Sequence, residues 1–362
     1  MKICVYAIAR NESKFAARWA ASMGEADGVF VLDTGSQDDT VSLLRQAGVT
    51  VVQEIVTPWR FDAARNRSLE LVPEDADVCV CTDLDEVFLP GWRKLLETAW
   101  RPGTTRASYR YTWNFLPDGS EGNVFWLDKI HARRGYRWVH PVHEVLSWGG
   151  EGAEKRITVE GMELHHHADP AKSRAQYLDL LELSVREAPE DDRNVHYLGR
   201  EYLFRGRWDD CIRTLKKHLA MPSATWADER CASMRFIARA YAAKGDERQA
   251  EGWFLRAMAE APHLREPAVE LARLLYHRQD WEGVLFATGR ALRIRERPRT
   301  YISESDAWGA LPWDLRSLAL YYTGRTGQAL EALDQALAIH PADPRLQNNR
   351  RLMEKTLADQ ER

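Results

Sequence analysis

The pattern of apolar residues changes near Asp169-Pro170, and this change limits the possible folds more than any other feature. Before it, short β-branched runs typical of strands alternate with segments of helical periodicity. After it, strand-like runs nearly vanish and helical segments follow one another. The sequence therefore predicts an α/β domain over 1–168 and an all-α domain over 169–362, and the alternation favours a largely parallel sheet with right-handed crossovers.

Predicted strands and helices alternate along the first domain, as a parallel sheet requires. The predicted strands are Ile3–Ala9, Gly28–Asp33, Val49–Glu54, the run ending at Cys81, and Arg156–His165, and the helices are Lys14–Met23, Asp39–Ala47 and Asp62–Leu71. Two further segments, Ala107–Trp113 and Val124–Ile130, are predicted to form an antiparallel pair around the turn Pro117-Asp118-Gly119.

A repeated pattern marks the turns of the second domain. A tyrosine precedes each turn, a glycine or Gln279 lies in it, and a small or β-branched residue follows five positions later. The residues are Tyr202, Gly206 and Cys211; Tyr241, Gly245 and Ala250; Tyr276, Gln279 and Val284; Tyr321, Gly324 and Ala329. This pattern resembles the tetratricopeptide repeat, which implies a surface that holds a peptide or protein partner or joins two subunits. An ordinary helical bundle is the alternative.

The run Val78-Cys79-Val80-Cys81 is typical of a buried strand and leads into Asp83-Leu84-Asp85-Glu86. In an extended chain Asp83 and Asp85 face one side and Leu84 the other. Ligands of open α/β sheets bind at the carboxyl ends of the strands. Two carboxylates there predict a site for Mg²⁺ or Mn²⁺, although strand-end acids are often merely solvated.

Four short motifs lie within the first part of the chain: Ala9-Arg10-Asn11-Glu12, the segment 31–40, Phe61-Asp62-Ala63-Ala64-Arg65-Asn66, and Asp83-Leu84-Asp85-Glu86. Their order and spacing resemble family 2 glycosyltransferases of the GT-A type. The resemblance implies a Rossmann-like nucleotide-sugar domain over 1–168. It also implies an inverting, metal-dependent transfer from a nucleotide sugar, with a UDP-sugar favoured. The acceptor is left open between a glycan, a peptide and a modified nucleic-acid base.

The resemblance also implies which residues bind the donor. The nucleotide set is Ala9, Asn11, Glu12, Asp33, Gly35, Ser36, Arg65, Asp83 and Leu84. Asp83 is expected to face the ribose and Asp85 the metal ion. Asn11 has an alternative role as a helix cap, and Arg65 as a solvated surface residue.

The catalytic residues implied by the resemblance are Glu144, as the general base, and His143, as a metal or phosphate contact. The Glu-Asp pair of larger family members is not evident here, and both residues could instead form structural hydrogen bonds. Farther along, alternation in a strand would put His165 and His167 on one side, within reach of the same cation as Asp83 and Asp85. Polar residues at a strand end are the alternative.

Composition excludes several classes of function. A net charge of -4 gives no strong signal for nucleic acid, and no apolar run is long enough to span a membrane. The five cysteines are odd in number and lack metal-binding spacing, which predicts reduced thiols and a cytoplasmic protein. Two alternatives remain: a nucleotidyltransferase, for which the N-terminus lacks a Gly- and Lys-rich loop, and a non-catalytic repeat scaffold that binds peptides.

Overall fold

The computed structural model describes residues 1–169, 172, 175–360 and 362. The chain divides into two compact units, Met1–Ser184 and Val185–Arg362. The sequence predicted this division at 168/169. The segment that follows 168 thus belongs to the first unit as far as Ser184, and within it Tyr177 packs edge-on against Phe61, with ring centroids 6.0 Å apart.

Among its described residues, the first unit contains ten strands. They are β1 (Ile3–Ala9), β2 (Gly28–Asp33), β3 (Thr50–Gln53), β4 (Val78–Cys81), β5 (Glu86–Phe88), β6 (Arg106–Thr112), β7 (Val124–Ala132), β8 (Tyr136–Val139), β9 (Val145–Trp148) and β10 (Arg156–His166). Eight form one sheet in the order β3-β2-β1-β4-β7-β6-β10-β5, and β8 pairs with β9. β1 to β4 are parallel, β7 runs antiparallel to β4 and β6, and β10 is parallel to β6. The predicted α/β class and the antiparallel pair are confirmed.

The described helices that begin in this unit are α1 (Ser13–Ser22), α2 (Thr40–Gln46), α3 (Phe61–Glu70), α4 (Trp92–Ala99) and α5 (Tyr177–Glu187). β1 is an almost continuous apolar run because both faces of a parallel strand are covered. α4 instead buries one stripe, with Trp92 and Leu96 one turn apart. The apolar core therefore lies on the faces of the sheet, and the ends of the strands stay open to polar residues.

The order of the strands reverses at β1. The chain moves from β1 to β2 and β3 on one side, and β4 then lies on the other side. Such a reversal opens a crevice at the carboxyl ends of the two strands, here β1 and β4. The loops after Ala9 and Cys81 therefore face the same crevice.

The second unit consists of helices that pair with their neighbours in sequence. They are α6 (Asp192–Phe204), α7 (Trp208–Ala220), α8 (Ala227–Ala243), α9 (Glu247–Glu260), α10 (Glu266–His277), α11 (Trp281–Arg293), α12 (Leu311–Tyr322), α13 (Thr326–Ile339) and α14 (Pro344–Gln360). α6 packs on α7, α8 on α9, α10 on α11 and α12 on α13, and the first helices of successive pairs also touch.

The turn pattern seen in the sequence has a clear structural basis. Gly206, Gly245 and Gly324 have φ of 70°, 80° and 76°, and Gln279 adopts the same left-handed conformation. The residues five positions later, Cys211, Ala250, Val284 and Ala329, are fully buried between paired helices. The predicted tetratricopeptide-like arrangement is thus confirmed. None of the described helices is long and apolar enough to cross a membrane.

Candidate functional site

The turn after β4 presents the acidic motif at the crevice. The N–H of Asp83 donates to Glu86 Oε2 at 2.8 Å, and the N–H of Glu86 donates to the Asp83 carbonyl at 3.0 Å. This tight turn sends Leu84 into the apolar core, where it is 1% exposed. The side chain of Leu84 is therefore enclosed, and its nucleotide contact, which only the main chain could make, stays a prediction. Ala9 is also buried and its carbonyl accepts hydrogen bonds from Thr34, and its nucleotide contact likewise stays a prediction.

Asp83 lies between two cations. Its Oδ1 accepts from Arg65 Nη2 at 2.5 Å and its Oδ2 from Lys129 Nζ at 3.0 Å. Burial alone would raise the pKa of Asp83, but Arg65 and Lys129 hold it far below its usual range. Asp83 is therefore ionised, and both of its oxygens are engaged before any ligand arrives.

Arg65 links the two predicted functional acids. This residue of α3 is buried, and its Nε also donates to Glu144 Oε1 at 3.0 Å. The solvated-surface alternative for Arg65 is therefore wrong. One guanidinium fixes the positions of Asp83 and Glu144, which lie far apart in sequence.

Asp85 meets a histidine and a lysine. Its Oδ2 lies 3.5 Å from His166 Nε2 and 3.3 Å from Lys172 Nζ. His166 is held from its other side, where Nδ1 lies 2.8 Å from the carbonyl oxygen of Trp113. Burial would raise the pKa of Asp85, but the hydrogen bond from His166 and the charge of Lys172 lower it. The pKa of His166 is raised although burial opposes this, because the Asp85 carboxylate stabilises its protonated form.

The prediction that His165 and His167 join Asp85 is corrected by the position of His166. Alternation does put the two outer histidines on one side of β10, where both rings pack on Phe115. Glu163 lies on the same side of β10, and its carboxylate is 3.8 Å from His165 Nε2. His166 reaches the opposite side because β10 pairs with β5 with His166 across from Glu86.

The loop after β1 contributes Glu12. It is 7% exposed, its Oε1 contacts Lys172 Nζ at 2.5 Å, and its Oε2 has no hydrogen-bond partner among the described residues. Burial raises the pKa of Glu12, and Lys172 works against this rise. Lys172 therefore bridges Glu12 and Asp85, so that an ammonium group sits between two candidate ligands of a divalent cation.

Asn11 does not cap the following helix, so that alternative is wrong. Its Oδ1 accepts from the N–H of Gln37 at 2.7 Å, and its own N–H donates to Ser36 Oγ at 2.8 Å. Asp33 also serves this loop, because its Oδ1 accepts from the N–H groups of Gly35 and Ser36 at 3.2 and 3.1 Å. These contacts give the loop one conformation. The nucleotide contacts of Asn11, Asp33, Gly35 and Ser36 stay predictions.

The segment with the predicted base has an unusual backbone. His140 and His143 have φ of 78° and 51°, in a region that residues other than glycine rarely adopt. The N–H of Phe61 donates to the carbonyl of Pro141 at 2.9 Å, which ties the segment to α3. The imidazole ring of His143 packs edge-on against the ring of Tyr177. Strained backbone of this kind is frequent at functional sites.

Lys129, His166 and Lys172 are site residues that the sequence did not single out. Single lysines carry no pattern of their own, and the choice of His166 depends on strand register. Trp113 is 39% exposed, and its ring stacks on that of His166 with centroids 4.5 Å apart. In the sequence, Trp113, Trp126, Trp138 and Trp148 predict a binding surface on the acceptor side, with core packing as the alternative, and acceptor binding stays a prediction.

The residues of the crevice fit a hard divalent cation. Asp85 and His166 approach within the range at which two ligands of one ion lie, and Glu12 adds a buried oxygen without a hydrogen-bond partner among the described residues. Carboxylate oxygens with an imidazole suit Mn²⁺, and oxygens suit Mg²⁺. Binding would require Lys172 to leave its present position.

Comparison with known proteins yields remote similarities. No protein-family model and no curated protein matches the chain. A solved structure of the MamA protein is similar at 16% identity and a TM-score of 0.36, covering 45% of this chain and 81% of MamA. Yeast Tom70 gives 13% identity and a TM-score of 0.39, covering 52% of this chain and 38% of Tom70. A thermophilic tetratricopeptide protein of Thermus thermophilus gives 17% and 0.35, with 49% and 88% covered. The repeat architecture is evident from the helices themselves.

Proposed function

We propose that the first unit is a metal-dependent, inverting glycosyltransferase that uses a nucleotide-sugar donor, with a UDP-sugar favoured. The observation that carries this proposal is the meeting of Asp85 and His166 beside Asp83 in the crevice between β1 and β4. Crevices of this kind bind ligands in open α/β sheets. An ionised carboxylate and an imidazole there suit the cation that accompanies a diphosphate.

Asp85 and His166 are the residues that would hold Mn²⁺ or Mg²⁺, with Glu12 as a further oxygen ligand. When bound, the ion supplies Lewis-acid stabilisation of the charge on the leaving nucleoside diphosphate. Arg65 and Lys129 add positive charge on the other side of Asp83. In this proposal Asp83 faces the ribose, while Arg65 and Lys129 balance its charge.

Glu144 is proposed to accept the proton of the acceptor hydroxyl. Arg65 donates to Oε1 of Glu144 and so fixes the direction of the carboxylate. Among the described residues, the hydrogen bonds to Glu144 involve that oxygen, which leaves Oε2 for the acceptor. The exposed Trp113 offers an aromatic face on which a sugar ring can stack. A glycan, a peptide and a modified base remain the candidate acceptors.

Binding of UDP to the full chain tests this proposal. Calorimetry with Mn²⁺ and with EDTA is performed on the wild type, Asp85→Asn and His166→Gln, with the exposed Asp39→Asn as the matched control. We expect binding that requires Mn²⁺, is abolished by Asp85→Asn and is weakened roughly tenfold or more by His166→Gln. Asp39→Asn should bind as the wild type does.

A panel of UDP-sugars and nucleoside triphosphates then separates the two enzyme classes. Release of UDP with transfer or hydrolysis of the sugar supports a glycosyltransferase, whereas release of pyrophosphate supports a nucleotidyltransferase. A folded Asp85→Asn protein that binds UDP with unchanged affinity and Mn²⁺ dependence contradicts the proposal.

A second function is proposed for the helical unit, as a surface that binds a peptide. Its support is the layer formed by the first helices, where α6 contacts α8 and α10 contacts α12. Stacked repeats leave an extended surface along such a layer. On α6, the guanidinium groups of Arg193 and Arg200 lie 4.7 and 4.3 Å from the Tyr197 ring, so acidic peptides are the first class to test.

Fluorescence polarisation tests this second function with labelled acidic, neutral and basic peptides of equal length. We expect the full chain to prefer acidic peptides and Arg200→Gln to weaken this preference. Arg351→Gln, at an exposed position of α14, is the control. Equal binding of all three classes would argue against a peptide site on α6.

A further inference from the structure

Three helices of the second unit bring two histidines and a glutamate together. His196 lies on α6, His218 in the last turn of α7 and Glu229 in the first turn of α8. One ligand atom of each lies within 4.8 Å of the other two. Both histidines are fully buried and Glu229 is 5% exposed. This histidine cluster was not part of the sequence predictions.

The hydrogen bonds of the cluster leave one ring nitrogen unexplained. Ser233 Oγ lies 2.7 Å from His196 Nδ1 and 3.0 Å from His218 Nδ1. The Nε2 atoms of both histidines are buried without a hydrogen-bond partner among the described residues. Buried polar atoms almost always have a partner, so His196 Nε2 requires an explanation, whereas His218 Nε2 has a long contact with the Glu229 carboxylate, 3.4 Å away.

We propose that His196, His218 and Glu229 bind a zinc ion. Two imidazoles and a carboxylate are a common zinc ligand set, and nitrogen ligands favour zinc over magnesium. His218 Nε2 lies 3.4 Å from Glu229 Oε1. Two ligands at a tetrahedral zinc with bonds of about 2.1 Å are separated by about 3.4 Å.

The surroundings of the cluster match those of zinc ligands. If both rings bind through Nε2, each Nδ1–H donates to Ser233 Oγ, which has two lone pairs to accept them. The hydroxyl of Tyr301 donates to Oε2 of Glu229, the oxygen that the ion does not use. Each proposed ligand is therefore oriented by a partner behind it.

The protonation states agree with metal binding. Burial lowers the pKa of His196 to about 3, so its ring is neutral and keeps a lone pair. Burial would raise the pKa of Glu229, but the contacts from His218 and from the Tyr301 hydroxyl lower it to about 2, so the carboxylate is charged. Zinc requires neutral imidazole and ionised carboxylate. The ion would join the pair α6 and α7 to α8, as a structural tie within the unit.

Zinc content of the full chain tests the proposal. The protein is produced with added Zn²⁺, passed through gel filtration and analysed by elemental mass spectrometry. We expect one zinc per chain in the wild type and in Asp85→Asn, and none in His196→Gln or His218→Gln. His277→Gln, an exposed histidine of α10, is the matched control and should keep its zinc. A wild type without zinc, or equal zinc in His196→Gln, overturns the proposal.

Two further measurements decide the matter if the histidine variants do not fold. The wild type loaded with Co²⁺ should show the visible absorption bands of a tetrahedral site, and their absence overturns the proposal. Ser233→Ala removes the partner of both rings while keeping the ligands, and we expect it to weaken zinc affinity by about 10- to 100-fold. Unchanged affinity in that variant contradicts the assigned arrangement.

Discussion

The protein contains two histidine–carboxylate pairs of almost the same separation in very different surroundings. His166 Nε2 lies 3.5 Å from Asp85, and His218 Nε2 lies 3.4 Å from Glu229. The first pair is surrounded by carboxylates and lysines, whereas the second has another imidazole, a serine and a tyrosine. The surroundings decide the chemistry, because oxygen ligands suit Mn²⁺ or Mg²⁺ and nitrogen ligands suit zinc.

The largest expected effect is on turnover, and it tests the proposed general base in the unit that contains the first pair. Glu144→Gln should reduce turnover by about 10²- to 10⁴-fold, because an amide cannot take the acceptor proton. Affinity for UDP should change little. Steady-state kinetics and calorimetry measure the two quantities, with the exposed Glu160→Gln as the control. If UDP affinity falls while turnover at saturating donor is kept, Glu144 belongs to the nucleotide site instead.

The next effect is on stability. Arg65→Gln leaves the carboxylates of Asp83 and Glu144 without their shared guanidinium, and should lower the free energy of unfolding by about 3–5 kcal/mol. Arg67→Gln, two residues along α3, removes only exposed ion pairs and should cost less than about 1 kcal/mol. Urea denaturation measures both, and similar losses would show that burial of the pair is unimportant.

A third histidine, His131, has no carboxylate partner among the described residues, and burial is the main cause of its pKa shift. His131 contacts the Tyr6 hydroxyl and the carbonyl of Ala132. Burial lowers the pKa of His131 to about 3. The contact with Ala132 opposes this shift, and the charges of Arg106 and Arg133 add to it. Below pH 6.5 the imidazole of the unfolded chain binds a proton that the folded protein does not bind. The free energy of unfolding therefore falls as the pH falls from 6.5 towards 3.

Between pH 6.5 and 5 this loss should be about 2 kcal/mol, at about 1.4 kcal/mol per pH unit. Urea midpoints at several pH values measure it. His131→Gln removes the titrating group, so the pH dependence over this interval should become shallower by that amount. The same slope in wild type and variant would contradict the assignment to His131.

The smallest expected effects come from a pair of glycines in the helical unit. A Cβ at Gly199 of α6 would lie 2.3 Å from Leu215 Cδ2 of α7, whereas a Cβ at Gly252 of α9 meets nothing within 4 Å. Gly199→Ala should cost about 1–3 kcal/mol and push apart the helices that carry His196 and His218. Gly252→Ala should stabilise by about 0.5–1 kcal/mol. Thermal melts that shift in the same direction would exclude this packing.

Much of the first unit could be predicted because its signals are local. β1 and β4 are buried apolar runs, and the acids after β4 are adjacent in sequence, so their position at a strand end follows directly. Register is different in kind. Whether His165 or His166 faces Asp85 depends on how β10 pairs with β5, and a shift of one residue exchanges the two sides.

The helical unit shows the same limit. The spacing of tyrosine, glycine and a small residue predicts the helix pairs. The glycine allows the left-handed backbone of the turn, and the small residue allows the two helices to pack closely. The histidine cluster has no spacing that marks a metal site, because its three residues come from three helices. Lys129 and Lys172 were missed for the same reason, since each meets Asp83 or Asp85 only through tertiary packing.

The position of β10 has a consequence for how the protein folds. This strand lies between β6 and β5, although it follows both in sequence. The sheet is therefore complete only when β10 has inserted between two earlier strands, and the pairing that brings His166 to Asp85 has to close a long loop. Contacts of high sequence separation slow folding, whereas the helix pairs of the second unit form from neighbours. Refolding should thus proceed in two phases, with the crevice between β1 and β4 acquired last and the repeats first.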